Sequence, residues 1–481
     1  MTETTPAIEP GAPGVPAFAV VGRVNKGKSS VVSTLVEDDT VRVDKEPGTT
    51  RACTRFPFRA DDGRVLCYAI DTPGFEEAPR ALAWLKERER SAADRPALVA
   101  AFVETFKGGA EFADECALLT PILAGAAILY VVDASLPYRP NYEAEMEILR
   151  WTGRARMALI NRIGGDDHID EWTRALGQYF NVVRVFDAHR SGFAERIGLL
   201  RAFRELDDGA RTRIDEAITV LEGDWARRRD RAGTIVAELI ADAVTFTSQH
   251  PLGEHEAIEQ RQPAWETEFL AALRTREQRA RREIERLYRH DALERDEASL
   301  APEAFEWDLF AQASRRVFGL DQWQLVRAGA IGGAAIGGTI DAATLGHSFL
   351  LGSIIGGVVG GVASWIGTEQ AVEVKVLGQN VSGRVATIGP LGDPQFPWIL
   401  LDRALLHFAS VVARAHAQRD PLKVAASAGK QGTSSVLDNS TQGRIGGLFN
   451  RIRNEPAPVP PELVDALAAA IVPLMSRLPT T

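Results

Sequence analysis

Residues 22–29 read GRVNKGKS, which fits the pattern GxxxxGK[ST], and they stand directly between an apolar run, AFAVV, and a helical pattern, SSVVSTLVED. No other feature constrains the fold as much, because this motif is a strand-to-helix turn and has its chemistry only in that setting. Gly22 and Gly27 let the backbone close around an anion, and N–H groups at the helix start point at it. Lys28 neutralises charge on the outer phosphates, and the Ser29 hydroxyl is a candidate Mg²⁺ ligand. Lys26 and Ser30 belong to the same candidate phosphate-binding set. A glycine-bearing turn with a solvated lysine is the bland alternative, and the motifs downstream argue against it.

The runs AFAVVG, RVLCYAID, AAILYVVDAS, ARMALIN and NVVRVFDA alternate with longer amphipathic or turn-rich stretches. That rhythm predicts an α/β domain over residues 16–206, a mostly parallel sheet with flanking crossover helices. Beyond it, residues 207–322 carry long helical periodicity rich in arginine and glutamate, and strand signals vanish there. A glycine-rich hairpin and a small C-terminal unit are expected over 323–420, with VEVKVLG and VSGRVATIG as short strands and 397–418 as a helix. Residues 421–481 read as a linker, through the small polar segment 423–447, and a terminal helix. The first fifteen residues read as a disordered lead-in without the apolar run of a secretory signal.

With 481 residues the chain holds several domains at about 150 residues each. Fifty-five basic against 65 acidic residues leave a net charge of −10, which excludes coating nucleic acid by bulk electrostatics. Cys53, Cys67 and Cys116 are odd in number and widely spaced, so neither a disulfide framework nor a metal cluster follows, and a reducing cytosol fits. The histidines show no metal-ligand spacing.

Two further motifs follow the first in order. DTPG, residues 71–74, closes the strand RVLCYAI; Asp71 there would support the Mg²⁺ shell and the Gly74 N–H would sense a γ-phosphate. PGTTR, residues 47–51, lies between, where a first switch loop belongs, with Thr50, or Thr49 in its stead, offering a hydroxyl to the metal. This order resembles small regulatory GTPases of the TrmE/Era-like branch over residues 16–206. The resemblance implies GTP and GDP as ligands, Mg²⁺ held by Ser29, Thr50 and Asp71, and catalysis resting on Lys28, Thr50 and Asn25. In that branch an asparagine at the place of Asn25 helps bind a potassium ion that stabilises transition-state charge.

Phe75 stands where other GTPase classes carry a water-positioning glutamine. Glu76 and Glu77 lie beside it, as solvated loop carboxylates or as catalytic groups. The branch reads guanine through NKxD, and the candidate here is Asn161, Arg162, Ile163, Gly164, with glycine in place of the aspartate. Asp166 or Asp167 could supply the missing contact, or could cap the helix DEWTRALGQYF. FDAH, residues 186–189, matches the last base-contacting loop in position only.

Between 328 and 367, Gly329, Gly333 and Gly337, and then Gly352, Gly356 and Gly360, recur at steps of four, which makes two smooth helical faces of the glycine-zipper kind. Residues 349–367 carry no charge and as a helix would reach about 28 Å, enough to cross a hydrocarbon core. Asp341 interrupts the first half. Membrane contact and a soluble hairpin packed through glycine are both open readings. The whole arrangement resembles bacterial proteins that join a TrmE/Era-like GTPase domain to a C-terminal domain of unknown function. The expectation is a cytoplasmic switch, peripheral to or partly inserted in the membrane, with a homodimer through the GTPase domain among its candidate partners. A ribosome- or tRNA-associated GTPase and a nucleotide-binding scaffold without turnover are the alternatives.

Overall fold

A computed structural model of the chain describes residues 14–23, 27–38, 41, 52–162, 168–252, 258–290, 366–376, 379–391, 396–418 and 437–478. They form two compact units: Met1–Ala226 with Ala413–Asp420 and Thr480–Thr481, and Arg227–Val412 with Pro421–Pro479.

The first unit runs β1 (Ala17–Val21), α1 (Lys28–Val36), β2 (Thr54–Arg59), β3 (Val65–Asp71), α2 (Ala78–Arg88), α3 (Arg95–Phe106), α4 (Ala113–Leu123) and β4 (Ala127–Asp133). It continues through α5 (Glu143–Trp151), β5 (Arg156–Asn161), α6 (Ile169–Leu176), β6 (Val182–Phe186), α7 (Phe193–Leu206) and the start of α8 (Arg211–Thr245). The strands lie in the order β2-β3-β1-β4-β5-β6, parallel except for β2. Every residue of β4 is buried, as expected of a parallel strand covered on both faces. One apolar layer packs α2 to α6 on the sheet, with Leu85, Phe102, Ile122 and Trp172 at its centre. The other packs α1, α7 and the start of α8, through Val32, Leu200 and Ile218. The segment after residue 413 joins this second layer: Ala417 is buried in it, and the Ser33 hydroxyl of α1 donates to the His416 carbonyl at 3.1 Å.

Two features of this unit depart from the sequence expectation. β2 is an additional strand, antiparallel to β3 at the edge of the sheet, and its Pro57 suits an edge because it cannot donate to a ladder. Between β3 and β4 stand three helices. Trp84 of α2, Phe102 and Phe106 of α3 and Phe112 before α4 knit them together, with ring centroids 4.8 to 5.7 Å apart.

The second unit takes the rest of α8, β7 (Ser248–Leu252), α9 (Ile258–Leu287), β8 (Ile366–Val376), β9 (Gln379–Ile388), α10 (Phe396–Ala413), α11 (Asn439–Arg453) and α12 (Pro461–Met475). The strands make an antiparallel sheet in the order β7-β9-β8. β7 corrects the expectation that strands vanish between 208 and 322. A five-residue strand containing Pro251 carries too short a pattern to register, and it exists because β9 pairs with it. The presumed linker 423–447 is corrected in part: α11 begins at Asn439, capped by the Asp438 side chain, which accepts the Thr441 N–H at 2.9 Å. The glycine repeats at 329–360 lie outside the described residues, and Ile366 and Gly367 belong to β8.

Among the described residues one helix, Phe396–Ala413, is long and apolar enough to cross a membrane, and 72% of that window is buried inside the protein. It carries Asp402, Arg403 and His407, all buried, which suits a core helix of the unit. Arg403 Nε donates to Glu277 of α9 at 2.8 Å, and Arg281 Nη2 donates to the same carboxylate oxygen at 2.6 Å. His407 is enclosed beside these groups. Burial, with Arg281 and Arg403 adding repulsion, holds its pKa down to about 3, although Glu285 stands 3.3 Å from Nε2. The unfolded chain therefore takes up a proton first as the pH drops, so the stability from the neutral ring is complete above about 6.5 and is lost between there and about 3. Replacing His407 with glutamine should make the chain relatively more resistant to acid, by on the order of 1 kcal/mol per pH unit below 6.5. Denaturant melts of wild type and variant across pH 4 to 7 check it, and parallel pH dependences would refute the buried neutral ring.

Candidate nucleotide-binding site

β1 pairs with β3 on one side and β4 on the other, so the chain leaves β1 towards one edge of the sheet and later crosses past it to build the other. Crevices form at the carboxyl ends of strands where the order reverses in this way. Gly22, Asp71 and Asp133 lie at those ends. Gly22 has φ +144°, and a Cβ there would stand 2.4 Å from the Val131 carbonyl oxygen of β4. No other residue type fits. Gly27 precedes α1 with φ 76° and turns the backbone so that the helix can start at Lys28.

Lys28 is 8% exposed, and its ammonium donates to the carbonyls of Gly22 at 3.1 Å and Arg23 at 3.0 Å. Burial lowers its pKa, with Asp71 and Glu145 opposing. The Ser29 hydroxyl donates to Asp71 Oδ2 at 2.7 Å, so the two motifs that predict Mg²⁺ binding meet in space. Thr72, next in DTPG, donates to the Val20 carbonyl at 2.8 Å and ties that loop to β1. Gly74 is buried, and Ser30 is buried on α1. Asn25, Lys26, Thr49 and Thr50 lie outside the described residues, as do Ile163, Gly164, Asp166 and Asp167.

The loop is anchored from a direction the motif does not disclose. Arg23 forms an ion pair with Glu145 of α5, its Nη2 donates to the Asn141 carbonyl at 3.0 Å, and its guanidinium lies 4.0 Å from the centroid of the Tyr142 ring. Glu145 is completely buried, and the Tyr130 hydroxyl of β4 donates to its other oxygen at 2.9 Å. Burial pushes the Glu145 carboxyl above its ordinary range, with Arg23 opposing. The signal in the sequence is a glutamate on an amphipathic helix, which reads as solvated surface until the helix is docked.

On the base side, Asn161 is fully buried at the end of β5, and its Oδ1 accepts the Ala188 N–H at 3.3 Å. Thr34 of α1 donates to the Ala188 carbonyl at 2.7 Å. The loop 186–189 is thus braced against both α1 and β5, and Asn161 acts as that brace. Thr34 did not belong to the predicted set, and Ala188 lies in FDAH, the loop that matches the last base-contacting loop in position. Arg162 is exposed, and its backbone N–H donates to the Phe186 carbonyl at 2.9 Å. Phe75 is buried in the apolar layer, while the Glu77 carboxylate pairs with Arg80 at the surface.

This is the crevice of a P-loop GTPase domain. Residues 17–161 match the family described as 50S ribosome-binding GTPase, and residues 173–459 match the domain of unknown function DUF3482. The second match spans more than half of the chain, which therefore belongs to the DUF3482 family. The chain is 28% identical over 192 residues to GTPase Der of Cereibacter sphaeroides, covering 39% of this chain and 33% of that one. It is 26% identical over 240 residues to GTPase Der of Rhodopseudomonas palustris, covering 48% and 44%. It thus spans between a third and under half of the length of these relatives. A solved structure of Aquifex aeolicus Era bound to GDP.AlF4- is 16% identical, covering 56% of this chain and 88% of that one with a TM-score of 0.23, too low to bear on the argument.

Replacing Lys28 with alanine should abolish binding of GDP and GTP while the unit still folds, because the ammonium bonds two loop carbonyls and belongs to neither apolar layer. Replacing Glu145 with alanine should do the reverse in order: it leaves Tyr130 and Arg23 without their partner and should destabilise the unit by about 2–3 kcal/mol. Isothermal titration with each nucleotide beside thermal melts distinguishes the two.

Proposed function

We propose that the chain is a GTP-binding and GTP-hydrolysing switch of the Era/Der class whose nucleotide state is read by its C-terminal region. The observation that carries this reading is the Ser29–Asp71 contact at the crevice, beside the buried Lys28 ammonium. The backbone from Gly22 to Lys28 would bind the phosphates, and Lys28 would exchange its two carbonyl partners for phosphate oxygens. A hydroxyl and a carboxyl 2.7 Å apart suit Mg²⁺, with Thr50 as a further ligand. The ion would neutralise charge on the β- and γ-phosphates. Gly74 would report the γ-phosphate through its N–H.

Phe75 is packed in the core and orients no water, so hydrolysis calls for another source of transition-state stabilisation. The resemblance to the TrmE branch supports potassium at Asn25 in that role. Hydrolysis should accordingly run several-fold faster in potassium than in sodium, and Asn25→Ala should remove the difference; equal rates in the two salts would exclude the ion. With Gly164 in the NKxD position, discrimination between GTP and ATP should be about tenfold to a hundredfold weaker than an aspartate would give. Gly164→Asp should sharpen it, and competition binding with ATP measures both.

Two effectors follow from different observations. A lipid surface is suggested by the glycine repeats and the uncharged run at 349–367. A ribosome-bound switch is favoured by the match of residues 17–161 to a family described as ribosome-binding, with the net charge of −10 weighing against a broad RNA footprint. Sedimentation of cell extracts separates them. Recovery with large ribosomal subunits in a non-hydrolysable GTP analogue but not in GDP supports the ribosome, and recovery in the membrane pellet supports the lipid surface.

A further inference from the structure

Glu115 lies in the first turn of α4, is 1% exposed, and turns its side chain towards the loop that follows DTPG. Its Oε1 accepts two consecutive backbone N–H groups, Glu76 at 2.9 Å and Glu77 at 2.6 Å. The loop 72–75 is consequently tied at both ends. At its start Asp71 accepts from Ser29, and Thr72 donates to the Val20 carbonyl at 2.8 Å. At its end Phe75 is buried in the apolar layer that also contains Cys116 and Leu119 of α4, and the next two amides are held by Glu115. The same helix also holds the second residue after PGTTR: the Cys53 thiol donates to the Ala117 carbonyl at 3.2 Å.

A peptide segment of four residues fixed at both ends has few conformations left to lose. We propose that Glu115 is a positioning residue that preorganises the DTPG loop for the γ-phosphate, so that α4 sets the preference of the site for GTP over GDP. The proposal rests on the GTPase reading and deepens it. GDP has no group that reaches Gly74, so its binding does not depend on where that loop rests. GTP does depend on it, because a loop free before binding must be ordered at the expense of affinity. A purely structural glutamate would change both affinities together or neither.

The test uses the full chain with GDP and the imido analogue of GTP in the presence of Mg²⁺. Glu115→Ala should weaken the analogue about tenfold while GDP stays within about twofold. Glu115→Gln, which keeps an acceptor oxygen on the same stem, should restore most of the ratio. Hydrogen exchange of the wild-type chain supplies a measurement free of variants: the amides of Glu76 and Glu77 should exchange more slowly with the analogue bound than with GDP. An unchanged affinity ratio in Glu115→Ala, or equal exchange of those amides in the two nucleotide states, overturns the positioning role while leaving the GTPase reading intact. Failure of the wild-type chain to bind either nucleotide overturns the GTPase reading itself.

Discussion

An ammonium group enclosed at the start of α1 has to find oxygen, and the turn between β1 and α1 is folded around that need. Lys28 finds it in the carbonyls of Gly22 and Arg23, which can face inward only because Gly22 has no Cβ and approaches the Val131 carbonyl of β4. The arrangement loads the site. A cation whose partners among the described residues are two neutral carbonyls, with Asp71 near enough to favour its charge, gains more from an anionic phosphate than a solvated lysine would. The desolvation cost of that cation has been met in folding, so it does not recur when the ligand arrives.

What fixes the loop in turn is α5. Arg23 is a variable position of the motif, yet it is held three ways, by the Glu145 side chain, the Asn141 carbonyl and the face of Tyr142. Glu145 is shared with Tyr130 on β4, the strand whose next residue is the one Gly22 approaches. Strand, loop and helix therefore meet on one buried carboxyl. Its removal would take the acceptor from the Tyr130 phenol and the counter-charge from the Arg23 guanidinium, which is why such a group persists among apolar side chains.

The parts of the site legible in the sequence are those whose partners lie within a few residues or inside a motif with an obligatory order. GRVNKGKS and DTPG are legible and both point to Mg²⁺, while the direct Ser29–Asp71 contact follows from the adjacency of β1 and β3. The parts that were not legible depend on contacts across long stretches of chain. Arg23 and Glu145 are 122 residues apart, and Asn161 finds Ala188 only because β5 and β6 are neighbours. β2 carries no plain strand signal because TRFPFR contains a proline and an edge strand needs no apolar run on both faces. In the second unit, periodicity marked α9 and α10 but not their shared charge cluster. Glu277, Arg281 and Arg403 on a helical surface look solvated until the two helices face one another.

Of the three α-helices between β3 and β4, two pack beside the site and the third reaches it. α2 and α3 bury their apolar faces on each other and on the sheet through Trp84, Phe102 and Phe106, so they hold together by area rather than by contact with the site. Their effect on the site is indirect. In the chain they come between Asp71 and the helix that runs into β4, and the aromatic packing around Phe112 fixes where that helix begins. Glu115 stands in its first turn, where the backbone dipole favours an acidic side chain and no intrahelical partner is needed. A helix start fixed by aromatic packing thus presents its carboxyl to the switch backbone. Placement of that backbone follows from apolar contacts made well away from the nucleotide.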